Sequence, residues 1–154
     1  MKKILFLLAP IFCLNAQVDL SYYLGDTSNY NQSIPTPESV IGHQVGELHV
    51  SHDKLSHYIQ EVSKNSDRVK LVNRGKTYEN RVSWLMIITS ESNHSRLEEI
   101  RKNHLELSNS KNRDIDISNM PIVVYKGYTV HGDEPSGTNA SMLLMYNLLA
   151  SDSE

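Results

Sequence analysis

Apolar residues recur along this chain in three ways: as an unbroken run, at helical spacing, and in short strand-like blocks. The unbroken run is Ile4 to Leu14, behind Lys2 and Lys3 and ahead of Asn15-Ala16-Gln17. Helical spacing first shows at Leu55, Tyr58 or Ile59, and Val62, with Ser51 able to cap the start and Asn65 ending the pattern. Two strand-like blocks follow, 69–74 and 82–89. Between them Asn80 suits the left-handed backbone of a tight turn and Gly75 a bulge or bend. This predicts an antiparallel hairpin whose second strand is largely buried.

Asn93 to Leu107 predicts a second helix, charged on one side, with Leu97, Ile100, His104 and Leu105 on the other. Residues 108–119 predict a polar loop, and the apolar block Pro121 to Tyr125 a buried strand. Pro135-Ser136-Gly137 then opens a strongly apolar helix, Thr138 to Ala150. Residues 17–45, rich in Tyr, Asn, Ser, Pro and Gly, predict an extended lead-in with turns rather than a packed element. Alternating strands and helices after a hairpin indicate an α/β fold, a mixed sheet flanked by helices. Three strands are thin cover for so apolar a last helix, so the expectation is an incomplete fold: an N-terminal piece of a longer protein, or a truncated reading frame.

Composition adds a compartment. Residues 1–16 have the positive start, short apolar core and small Ala16 of a secretory signal peptide, and they are too short for a membrane span. Cys13, the only cysteine, and both phenylalanines (Phe6 and Phe12) fall inside that segment. Losing the two charges of Lys2 and Lys3 takes the formal charge from −3 to −5. What remains, about 138 residues, suffices for one domain with a sizeable core but can form no disulfide. No basic cluster suggests nucleic acid, and no further run is apolar enough to cross a bilayer. The expected product is an exported soluble protein, periplasmic or secreted.

The candidate chemistry lies at His131-Gly132-Asp133-Glu134, between the predicted strand and the last helix. With seven histidines in 154 residues, chance alone supplies about half a His-x-x-Glu match. Placement raises its value, because strand ends in α/β sheets are where ligand sites form. A histidine nitrogen and a carboxylate oxygen are natural zinc ligands, and catalytic zinc keeps a position open for water. Pro135 disfavours a helical backbone at Glu134 and suits the first helical position, leaving the glutamate just outside the helix. The alternative is that Glu134 merely caps the helix and His131 is a partly buried loop residue.

The segment from Tyr125 to Leu149, with Gly127-Tyr-Thr-Val-His131-Gly-Asp-Glu134-Pro-Ser-Gly137, closely resembles the first zinc motif of the zinc carboxypeptidases, relatives of carboxypeptidases A and B. Gly75-Lys-Thr-Tyr-Glu-Asn-Arg81 before an apolar strand resembles the Gly-x-Ser/Thr-x-Glu-Gly-Arg hairpin of that family. Thr36-Pro-Glu-Ser-Val40 and Gly46-Glu-Leu-His-Val-Ser-His52 resemble the lead-in of its large exported bacterial branch. The resemblance implies that residues 46–154 are the N-terminal part of a catalytic domain that removes a residue from peptide or protein C-termini. It implies Zn2+ held by two histidines and a glutamate, a separate glutamate as general base, and Arg and Asn side chains on the substrate carboxylate. Matched residue by residue, His131 and Glu134 are the zinc ligands. The third ligand, the base and the carboxylate-binding arginine are expected in segments that this chain does not contain, so the chain alone is expected to be inactive. Asp133 stands where many relatives have Arg or Asn, and Asn80 replaces the usual turn glycine.

Two rivals remain open: a zinc deacylase of N-acyl amino acids, and a non-catalytic exported binding module of the same fold. His43, His49, His52 and His57 lie close together, but no third ligand completes His49-x-x-His52, and these read as surface and helix-start residues. His94 and His104 read as structural and Trp84 as core. Asn31, Asn93 and Asn139 each begin a glycosylation pattern, a short match that chance often supplies, and Asn139 falls on a helix expected to be packed.

Overall fold

The computed structural model describes residues 18–109 and 114–151. The expected leader, Cys13 included, lies outside the described residues. Helices and a two-stranded antiparallel sheet together make an α/β fold. In chain order the elements are α1 (Leu20–Leu24), α2 (Pro37–Ile41), α3 (His52–Lys64), β1 (Val69–Lys76), β2 (Val82–Ile88), α4 (Glu91–His94), α5 (Leu97–Leu107) and α6 (Pro135–Ala150).

The first long helix runs as its spacing predicts, from Ser51 as N-cap residue to Asn65 as C-cap residue. Tyr58, Ile59 and Val62 form its buried stripe. Asp53 in the first turn and Lys64 in the last complement the helix dipole. The hairpin also follows the sequence closely. Asn80 takes φ 64° in the turn and Gly75 φ 106°, and the register slips between Asn73 and Lys76, as a bulge at Gly75 requires.

β2 is half-buried rather than largely buried. Strand side chains alternate between faces, and only one face has a partner. Trp84, Met86 and Ile88 pack with Val69 and Leu71 against the core. Trp84 also donates its indole N–H to Ser56 Oγ on α3 at 2.7 Å. Leu85 and Ile87 line an open groove.

The predicted strand at 121–125 does not form. It has no strand assignment, and Ile122 and Tyr125 are 89% and 84% exposed. A strand exists only through hydrogen bonds to a neighbour, and among the described residues the sheet is the β1–β2 pair. Among the described residues the run is tied at its start, where His104 Nε2 donates to the Pro121 carbonyl at 2.8 Å.

The second predicted helix is broken into α4 and α5. Arg96, at φ −121° and ψ 22°, interrupts it. Ser90 caps α4 through the Asn93 amide, and Asn93 Oδ1 accepts from Arg96 Nε and Nη2 at 3.2 and 3.1 Å. Short polar side chains that bond locally compete with a continuous helix.

Residues 18–45 differ most from expectation, because they pack. Ile34, Pro37, Ile41 and Val45 are buried, and α2 contacts both α3 and α6. Thr36 caps α2 and Pro37 occupies its first turn, so a stretch read as turns is short helix held by its caps. The far end of α6 is gripped by the same segment. Asn31 N–H donates to the Ala150 carbonyl at 2.7 Å, the Tyr30 hydroxyl bonds to Asn147, and the Tyr30 and Tyr146 rings lie 5.5 Å apart. Met142, Met145, Tyr146, Leu149 and Ala150 thereby join the core.

Candidate metal centre

His131 and Glu134 are the two ends of one tight turn. The Glu134 N–H donates to the His131 carbonyl at 3.2 Å, the bond that closes a four-residue turn and holds the end Cα atoms within about 7 Å. Glu134 is the N-cap residue of α6, in an extended conformation (φ −98°, ψ 99°), with Pro135 at the first helical position. The steric effect of proline on the preceding residue produces this geometry.

The Glu134 carboxylate makes no side-chain capping bond to α6. Among the described residues neither His131 nor Glu134 has a side-chain hydrogen bond or ion pair. Both are exposed, as are Gly132 and Asp133 between them. Neither side chain is therefore committed to another partner among the described residues. Their donor atoms fit zinc, which takes histidine nitrogen and carboxylate oxygen at about 2 Å.

The turn is anchored on both sides by features that the sequence reading did not pick out. Thr129 sits at φ 60°, a left-handed conformation that costs a branched residue about 1–2 kcal/mol. Its backbone lies against Gly137, where an added Cβ would stand 2.9 Å from the Thr129 nitrogen and 3.3 Å from its Cα. The Thr129 and Thr138 hydroxyls are 3.2 Å apart. At the next turn Asn139 Oδ1 accepts from the Gly46 N–H at 3.0 Å, and Asn139 Nδ2 donates to the Pro135 carbonyl at 3.0 Å. The available signals were Gly137 in a helical turn and the hydroxyl pair at Thr129 and Thr138, but neither names its partner.

Beside the turn lies an open groove of about 2210 Å³, which Gly132 reaches. Leu144, Met145 and Leu148 of α6 line it opposite Leu85 and Ile87 of β2, with the run 122–125 at its side. No group of three His, Cys, Asp or Glu side chains poised for a metal occurs among the described residues. His52 Nε2 donates to the Val82 carbonyl at 2.9 Å, so its ring serves the contact between helix and hairpin. His49 is exposed.

The sequence pattern of the zinc carboxypeptidases matches residues 55–154. The chain therefore belongs to the zinc carboxypeptidase family. Membership brings peptide hydrolysis as the family's reaction and zinc as its metal. No curated protein and no solved structure matches the chain.

Proposed function

We propose that this chain carries the first half of the zinc site of an exported metallocarboxypeptidase, with His131 and Glu134 as ligands. The observation that carries the reading is the closed turn from His131 to Glu134, whose end carboxylate is left uncommitted by its own helix. The turn sets the two residues at neighbouring ends of one hydrogen-bonded ring, close enough for both side chains to turn towards one ion. Glu134 contributes the negative charge and His131 a neutral donor. Bound zinc would supply Lewis-acid polarisation of the scissile carbonyl and activation of water.

The adjoining groove offers apolar walls for the end of a peptide. Asp133, exposed beside the ligands, repels an anion, so the terminal carboxylate of a substrate is held elsewhere. The charged start and apolar run of residues 2–14 support export. Among the described residues no helix is long and apolar enough to cross a membrane.

Two ligands hold zinc more weakly than three, and among the described residues no third ligand joins them, so the chain by itself is expected to bind zinc weakly and to turn nothing over. The test is competition for zinc against a chromophoric chelator, with hydrolysis of a blocked dipeptide assayed in parallel. His131→Ala and Glu134→Gln should each weaken zinc binding by more than about tenfold, the lower end of what supporting residues alone contribute. Equal affinity in the variants would exclude these ligands. Chelator-sensitive hydrolysis by the chain would contradict the expected inactivity.

A further inference from the structure

The ligand turn has two roots, one in the segment entering it and one in the helix leaving it. Thr129 is two residues before His131, and Gly137 three after Glu134. The two roots meet backbone to helix at Gly137, where the space for a Cβ is already filled by the Thr129 nitrogen and Cα. Real Cβ atoms do not approach backbone atoms at 2.9 Å, and backbone cannot swing aside as the end of a flexible side chain can. The Thr129–Thr138 hydroxyl contact fixes the same junction from the side. Thr129 is held at φ 60° there, a conformation that persists in a branched residue only when its surroundings impose it.

We infer that Gly137 is a positioning residue: its missing side chain forms a seat for the Thr129 backbone, and that seat sets His131 against Glu134. The inference rests on the zinc reading for the identity of the ligands, but the seat itself is a property of the metal-free chain. Alanine is favoured over glycine inside a helix, so Gly137→Ala would stabilise α6 if the position were only helical. With the seat filled, the Thr129 backbone must lift, and His131 moves with it while Glu134 stays with α6.

The test compares Gly137→Ala with Ser136→Ala, a neighbouring exposed position in the same turn, by zinc competition and by amide NMR shifts of the metal-free chains. Gly137→Ala should lose about tenfold in zinc affinity, in the range seen when residues that orient metal ligands are altered, with helix content kept. The amides of Thr129 to Gly132 should shift in that variant and stay in place in Ser136→Ala. Should Gly137→Ala not fold, Thr129→Pro, whose ring cannot take φ 60°, lifts the same backbone from the other side and should show the same loss. Unchanged amides at 129–132, or equal behaviour of the Gly137 and Ser136 variants, would overturn the seat. A wild-type chain that takes up no zinc would instead overturn the ligand reading, and the amide shifts would still decide the seat.

Discussion

Tyr58 is fully buried on α3, and its hydroxyl donates to the Pro35 carbonyl at 3.3 Å. Burial, reinforced by the nearby Tyr146, pushes its phenol well above the usual tyrosine range. The folded chain therefore keeps this proton to higher pH than the unfolded chain, which releases it near pH 10. The resulting stability is complete below about pH 10 and is lost as pH rises beyond it, by at most about 1.4 kcal/mol per unit for one proton. Urea unfolding between pH 8 and 11 should show this loss in the wild type and a shallower one in Tyr58→Phe. At neutral pH that variant should cost about 1 kcal/mol, the worth of one hydrogen bond. Equal alkaline slopes would remove Tyr58 from the account. Burial of Tyr58 was legible from helical spacing. Its partner Pro35 was not, because residues 17–45 carry turn chemistry whose packing spacing alone cannot show.

At the scale of elements, α6 organises the molecule. Its apolar residues spread well round the helix, but they are not covered equally on all sides. The lead-in covers one side through Ile34, Ile41 and Val45, while Leu144 and Leu148 face the groove. Asn139 joins the two units, bonding to the Gly46 N–H and the Pro135 carbonyl at once. Asn139→Ala should therefore cost about 0.5–1 kcal/mol, the net worth of a hydrogen bond whose donor water can reach, whereas an ordinary exposed helical Asn→Ala would be neutral or stabilising. Thermal unfolding distinguishes the two by sign. The hairpin, α3 and α6 were legible because periodicity, Asn80, Gly75, Ser51 and Pro135 each act locally. The strand expected at 121–125 failed because pairing depends on a neighbour, which no residue within the block specifies. The break at Arg96 turned on local bonds among Ser90, Asn93 and Arg96, which hydrophobic spacing does not register.

Across the whole molecule, the proposed zinc function rests on one turn, within a chain that belongs to the zinc carboxypeptidase family. His-x-x-Glu was legible as residue types, and its extended entry to the helix followed from Pro135. What the sequence could not show was that Glu134 leaves its helix uncapped and that Gly137 holds the turn from behind. The turn itself is exposed and borders the groove at Gly132. The most direct test of the central claim is a zinc titration of the chain followed by NMR of its histidine rings and glutamate side chains. The account predicts that His131 and Glu134 respond together and before any other pair, and that Glu134→Gln abolishes the response at His131. A first response at His49 and His52, with His131 unmoved, would contradict it.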